Sequence, residues 1–378
     1  MTTSCFRGGT IVTASPPALD WVLVEDDLIV AVGEGDEPDA DRTVDLDGAF
    51  LVPAFRDGHV HLQVTGLFRT AMDFRGCRNG DQIGAAFSER AAERDGILFG
   101  GNFEEPLDPP VTRWTLDSAV GERKALLARA DLHSCVVSTA LLGDLDLEGV
   151  DGVDRDGDGR PTGFLREAAS SRAWAAFDAG LDLRAQRSAV QAGVMAAYSK
   201  GVAEAHEMFV VEWRGWDSAE RFLATVGEHA LNVPVYLGTE DVARVHEMGF
   251  RRVGGDLFLD GSFGSHTAWL RSPYTTAPPA DMASTGTSYR SDDDVFDFFY
   301  EAQTRGMQAG VHAIGDAAIE QAITACERVA DKVGPEAVRE LHHRIEHFEC
   351  ASDDHIARAA ALGVVASVQP AFDRLWGG

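Results

Sequence analysis

From residue 184 onward the chain repeats helix and strand in regular alternation, and this alternation restricts its fold more than any other feature. Helical spacing over 184–200 (Val190, Val194, Tyr198) is followed by an apolar run at 201–206. The pattern recurs as a helix over 219–230 and a strand at 233–237, then a short helix over 241–248 and a strand at 256–260. After a Ser/Pro-rich loop, helices over 293–305, 317–329 and 353–361 lead into strands at 307–312, 343–347 and 363–368. Strands alternating with helices argue for a parallel sheet or a (β/α) barrel. With the strand before His59 the count reaches seven, where a closed barrel has eight. The sequence stops at Trp376-Gly377-Gly378, where the eighth is due. The expectation is a polypeptide continuing past Gly378 by one βα unit and several strands.

The rest of the chain reads differently. Residues 1–52 hold short strands at 10–14, 21–24, 28–32, 43–46 and 50–53, with a hairpin signal at Glu25-Asp26-Asp27. They read as the N-terminal half of a small β domain. Residues 62–183 carry isolated strand-like runs at 97–100 and 125–128 and an acid- and Gly-rich stretch at 144–163. They read as an insertion between strands one and two of a barrel occupying 53–378. The fold class expected is therefore α/β, a (β/α)8 barrel with seven strands visible, plus a small composite β domain. Unpaired sheet edges would make the chain aggregate or form a homodimer.

Charge narrows the partners. With 61 acidic against 33 basic residues the formal charge is −28, which repels phosphate backbones and anionic lipid. Nucleic acid and membrane are excluded as expected partners, leaving a small-molecule substrate. The five cysteines have no zinc-knuckle or redox spacing, and no apolar run approaches a membrane span. A cytoplasmic location follows as the expectation.

Chemistry concentrates on histidines at strand ends. His59 and His61 alternate by two and so point to one face of a strand. Two imidazoles there can hold one metal ion. His312 ends a later strand and His347 the next, and residues at the C-terminal ends of barrel strands converge on one site.

Those residues, in their surroundings, resemble the amidohydrolase superfamily, in its amidohydrolase-3 (YtcJ-like, N-substituted formamide deformylase-like) branch. The resemblance rests on 52–61 (Val-Pro-Ala-Phe-Arg-Asp-Gly-His-Val-His), on 256–268 (Asp-Leu-Phe-Leu-Asp-Gly-Ser-Phe-Gly-Ser-His-Thr-Ala), on His312-Ala313-Ile314-Gly315-Asp316 and on His343-Arg344-Ile345-Glu346-His347. The runs at 128–133 and 154–167 are also similar. The resemblance implies a metal-dependent hydrolase of carbon–nitrogen bonds other than peptide bonds: an amide, N-substituted formamide or cyclic amide. It implies one or two divalent metals, usually zinc, with His59 and His61 on one and His312 and His347 on the other. Many relatives place a carboxylated lysine where this chain has Asp256, so that carboxylate either bridges the metals directly or leaves one site weak. The family's final aspartate, a metal ligand and proton shuttle, has no match after His347. Asp373 reads as a loop residue, and the general base is expected beyond Gly378. The rival expectation is a non-catalytic or truncated metal-binding barrel lacking that aspartate. Asp260 and Ser262 are substrate-binding candidates. His133 either lines the substrate pocket or is a solvated loop histidine.

Two other motifs point elsewhere. The run at 154–159 begins like a calcium-binding EF-hand loop, but its twelfth position is Leu165 rather than a bidentate acid. His343–His347 matches H-x-x-E-H, which requires a helix, whereas the βα beat makes it a strand. His206 ends a strand, where the resemblance implies no ligand, and His229, His246 and His355 read as helix-surface residues.

Overall fold

The computed structural model describes residues 2–12, 19–91, 96–276 and 282–376. The chain divides into two compact units, residues 1–56 with 200–203, and residues 57–199 with 204–378.

The first unit is a five-stranded sheet. Thr3–Ile11 pairs antiparallel with Leu19–Glu25, which pairs antiparallel with Leu28–Gly33. Arg42–Asp45 and Phe50–Leu51 pair parallel with the first strand. The hairpin closes at Glu25 opposite Leu28, with Asp26 in the left-handed region at φ 50° that such tight turns demand. The first strand starts well before residue 10 and runs through a register shift between Arg7 and Ile11, at a glycine pair that reads as punctuation in the sequence. Residues 13 and 14 of the strand expected at 10–14 lie outside the described residues. Leu28 (71%), Ile29 (68%) and Phe50 (71%) stand exposed on this sheet. Apolar strands exposed in this way associate with copies of themselves. Light scattering after gel filtration is expected to show self-association at tens of micromolar, as an order of magnitude, and Ile29→Lys with Leu28→Lys to reduce it. A monomer at all concentrations would refute this.

In the second unit, residues 72–166 contribute a six-stranded sheet. Neighbouring residues of its central strands bury on opposite faces. Leu98 and Leu127 join a core with Phe74, Phe87 and Phe103, while Phe99 and Leu126 join another with Cys135, Leu165 and Phe177. A sheet covered on both faces shows no apolar–polar alternation, which is why this stretch resists periodicity. The EF-hand-like run ends in a polar turn. Asp156 accepts from the backbone of Asp158 and Arg160, and the Arg160 guanidinium binds the carboxylates of Asp156 and Asp158, both at 2.9 Å.

Seven short strands make up the rest. Phe55–Val60, Val202–Phe209 and Val235–Leu237 form one sheet; Arg252–Val253, Gln308–Ala313, Arg344–His347 and Val365–Ser367 form a parallel second. A backbone bond from Gly254 N–H to the Leu237 carbonyl (2.9 Å) links the two. The helices Leu183–Tyr198, Trp216–Val226, Val242–Glu247, Asp292–Thr304, Asp316–Val333 and Asp353–Ala361 punctuate these strands as the beat requires. The helix Leu62–Thr70 packs tightly on Leu183–Tyr198. A Cβ at Gly66 would meet the Ala189 carbonyl, and one at Gly193 the Leu62 carbonyl, so the helices touch backbone to backbone and fix the segment that follows His61. Among the described residues no helix is long and apolar enough to cross a membrane.

Several expectations shift. The strand expected at 256–260 is a single bridge, Phe258 to His312, and the true strand is Arg252–Val253 upstream. Gly254 and Gly255, at φ 82° and 72°, turn the chain out of the ladder between them. Asp373 falls in a helix, Pro370–Trp376, rather than a loop; Gly377 and Gly378 lie outside the described residues. His355 is buried at 2% exposure, not on the surface, because its ring reaches Glu320 (3.1 Å) beneath the helix start that Ser352 caps. His229 lies past the end of its helix, and His206 sits inside its strand, between Glu204 and Arg344.

Candidate metal centre

His59 lies in Phe55–Val60, and its N–H is held by the Asp57 carboxylate (3.1 Å). His61 is the N-cap of the helix Leu62–Thr70. His312 lies in Gln308–Ala313 opposite Glu346 of the next strand. His347 ends Arg344–His347 at φ 72°, followed by Phe348 at φ 52°. Two successive non-glycine residues in the left-handed region store strain, which is characteristic of functional sites.

Around the buried Asp256 these four imidazoles meet. Oδ2 of Asp256 is 3.0 Å from His61 Nε2 and 3.4 Å from His59 Nε2. Oδ1 is 3.4 Å from His347 Nε2 and 3.6 Å from His312 Nδ1. One carboxylate thus divides its oxygens between two histidine pairs, giving two three-donor groups that share Asp256. Asp256 Oδ1 and His312 Nδ1 are both buried without a hydrogen-bond partner. Orphaned buried acceptors are costly, and a cation between them removes that cost, so the donor set fits a divalent metal. The chain's three lysines are Lys124, Lys200 and Lys332, none in this group. Asp256 is the one anion common to both groups.

The electrostatics fit the same reading. Burial pushes the Asp256 carboxyl upward, but His59, His312 and His347 hold it well below the ordinary carboxylate range. Burial presses His59 down, yet Asp256 and Glu346 hold it up at about 10; burial and His347 press His312 down to about 3. Ligating imidazoles must be neutral, so metal entry displaces a proton from His59.

Carboxylate and amide oxygens orient the ligands. Glu346 Oε2 lies 2.9 Å from His59 Nδ1, and since a carboxylate only accepts, His59 carries its proton there and presents Nε2 to the centre. The Gln369 carbonyl oxygen does the same for His347 Nδ1 at 2.7 Å. Arg344 holds Glu346 with two bonds, 2.7 and 3.0 Å, and its Nη2 also donates to the Gly58 carbonyl at 2.6 Å. Arg344 and Glu346 went unassigned in the sequence, although oppositely charged residues two apart on one buried strand were the available signal. Glu207, fully buried, accepts from the Leu62 N–H that follows His61 (2.7 Å).

A cavity of about 1170 Å³ opens on the centre and is lined by His59, His61, Asp256, His312 and His347. His133 lines it too, with Nδ1 on Glu167 (3.1 Å); burial lowers its pKa, but Glu167, Asp131 and Asp256 bring it up to about 9. Ser262 lines the cavity and donates to Asp131 (2.9 Å). Asp260 does not line it. That carboxylate is fully buried and accepts from the N–H groups of Trp269, Ile314 and Gly315 at 2.7–3.0 Å, so it fixes loops rather than touching a substrate. His343 is separate as well, accepting from Ala309 N–H (3.0 Å) away from the centre, which removes the helical H-x-x-E-H reading.

A histidine–aspartate centre of this kind, on an α/β unit, could hold a divalent metal ion. The Amidohydrolase family model (Amidohydro_3) matches residues 42–377, and the chain belongs to that family. It is 26% identical to YtcJ of Bacillus subtilis (strain 168) over 384 residues, covering 93% of this chain and 69% of that one. It is 24% identical to the N-substituted formamide deformylase of Arthrobacter pascens over 418 residues, 94% of this chain and 70% of that one. An uncharacterized metal-dependent hydrolase from Pyrococcus furiosus shares the fold, with a TM-score of 0.71 at 24% identity, covering 98% of this chain and 77% of that one.

Proposed function

We propose that the protein is a metal-dependent hydrolase of carbon–nitrogen bonds in amides, N-substituted formamides or cyclic amides, on a (β/α) barrel scaffold in the cytoplasm. The observation that carries this reading is the shared Asp256, with one oxygen toward each histidine pair and an orphaned oxygen among them. His59, His61 and Asp256 would hold one ion, and Asp256, His312 and His347 the other; imidazole and carboxylate together suit zinc. When bound, such an ion polarises a carbonyl oxygen and lowers the pKa of water to ~7.

The chain's own residues supply the rest. Glu346 and Gln369 keep the protons of His59 and His347 on Nδ1, so both rings present Nε2. Glu167 likewise holds a proton on His133 Nδ1, leaving Nε2 for the oxygen or leaving nitrogen of a substrate. Phe258 packs on His312 (4.5 Å between rings) and excludes water from that side.

A second reading, metal binding without turnover, has one observation in its favour. Among the described residues Asp260, the acid nearest His312 besides Asp256, has its oxygens bound by three backbone N–H groups and does not line the cavity. One experiment separates the two. Protein purified without chelator is expected to carry at least one transition metal per chain and to release amine from N-substituted amides, with both properties lost on chelation and restored by zinc. Bound metal with no turnover would select the second reading. Folded protein that stays empty in excess zinc would sink both.

A further inference from the structure

His133 and Glu167 face each other across the antiparallel strands Ser134–Val137 and Pro161–Arg166, one residue beyond the pair Ser134 and Arg166. Two bonds join them. The Glu167 N–H donates to the His133 carbonyl (2.9 Å), and Glu167 Oε2 accepts from His133 Nδ1 (3.1 Å). Glu167 makes both from φ 42°, a left-handed conformation that costs a non-glycine residue energy and clusters at functional sites.

A tight turn from a distant part of the chain holds the same carboxylate. Thr267, 2% exposed, accepts the Ser262 N–H at Oγ1 (3.0 Å) and donates its own proton to Glu167 Oε1. A Cβ at Gly261 would collide with that hydroxyl and with Glu167 Oε1, so the contact requires glycine there. The His133 backbone is anchored to the same turn. Its N–H donates to Asp131 Oδ1 (3.2 Å), and Asp131 Oδ2 accepts from Ser262 and Ser265 (2.9 and 3.0 Å). One atom of the histidine is left over. The His133 ring is buried and lines the cavity, with Phe258 edge-on at 5.6 Å, and among the described residues Nε2 has no hydrogen-bond partner. A nearly buried polar atom without a partner calls for an explanation, and a ligand in the cavity supplies one.

Resting on the reading of the site as a hydrolase of carbon–nitrogen bonds, we infer that His133 Nε2 hydrogen-bonds the scissile amide and that Glu167, held by Thr267, is the positioning residue that aims it. A carboxylate only accepts, so Glu167 keeps a proton on Nδ1 and turns Nε2 to the cavity.

The test is a double-mutant cycle on the zinc-loaded protein: His133→Ala, Glu167→Ala and the two combined. Turnover is read as amine release from N-benzylacetamide. Binding is read by calorimetry with N-benzylmethanesulfonamide, which keeps the N–H and acceptor oxygens but has no carbonyl carbon to hydrolyse. Loss of one hydrogen bond is expected to weaken the sulfonamide ~10-fold in each single variant. Loss of an aimed hydrogen-bonding group is expected to lower kcat/KM ~10²-fold. The combined variant is expected to lose no more than His133→Ala alone, because a residue that acts through another adds nothing once the other is gone. Glu167→Gln, whose amide oxygen can still accept from Nδ1, is expected to restore most of the binding. A residue that only supports the fold would add its own loss in the combined variant. Additive losses, or Glu167→Ala binding the sulfonamide as tightly as the parent, overturn the inference, and so does a parent that binds neither probe. A non-additive binding cycle without amine release overturns the carbon–nitrogen reading and leaves the positioning role standing. Should an alanine variant fail to fold, His133→Phe, a ring without nitrogen, or Glu167→Asp, one methylene shorter, takes its place in the cycle.

Discussion

Asp256→Asn is expected to cost the protein its metal and its hydrolase activity together. Asparagine keeps the volume but has one neutral oxygen where the carboxylate has two charged ones. Both three-donor groups use Asp256, so one substitution damages both. Loss of an outer partner of a ligand typically lowers metal affinity ~10–100-fold, and loss of the shared ligand is expected to exceed ~10²-fold. Turnover should fall at least as far, since bound metal supplies the polarisation of the substrate. The fold should survive. Asparagine keeps the shape of the side chain and one acceptor oxygen beside the histidines, so the packing around it is unchanged. Zinc titration by calorimetry, elemental analysis and circular dichroism of the same preparation settle it. A variant that binds zinc and turns over within a few-fold of the parent would falsify the bridging role of Asp256.

How much of this was legible in the sequence depended on solvent exposure. The helices after residue 184 each bury one face, so their period showed, and Asp353–Ala361 falls where the spacing places it. The six-stranded sheet of residues 72–166 buries both faces, so Leu98 beside Phe99 and Leu126 beside Leu127 read as undirected apolar runs. In the site, His59, His61, His312 and His347 were visible because strand ends converge, and all four meet at Asp256. Asp260 misled because a carboxylate in a loop resembles a binding group, whereas its job is to gather three N–H groups from two other segments. Glu346 and Arg344 stayed hidden for a related reason. Their meaning depends on Gly58 and His59, 286 and 287 residues away in sequence.

Glu346→Gln should give the second large effect, on stability as well as on metal. Arg344 is 5% exposed, and among the described residues Glu346 is its only anionic contact; its other partners are the Gly58 carbonyl, the His206 ring and the Tyr236 hydroxyl. Removing one member of a buried ion pair leaves the other charge uncompensated, which costs ~3–5 kcal/mol. That is a large share of the ~5–15 kcal/mol that keeps a domain folded. The same change weakens the carboxylate that orients His59, so zinc affinity should drop ~10–100-fold. A general loss of structure could mimic this second effect, and the double variant Arg344→Met, Glu346→Gln removes the ambiguity. Replacing a whole buried pair by neutral groups is close to neutral in stability, so the double variant should melt near the parent. It still lacks the carboxylate on His59 Nδ1, so its zinc affinity should stay low. Thermal unfolding of the metal-free proteins and zinc titrations of all three give the answer. If zinc affinity recovers along with stability in the double variant, Glu346 supports the fold alone and has no part in orienting His59.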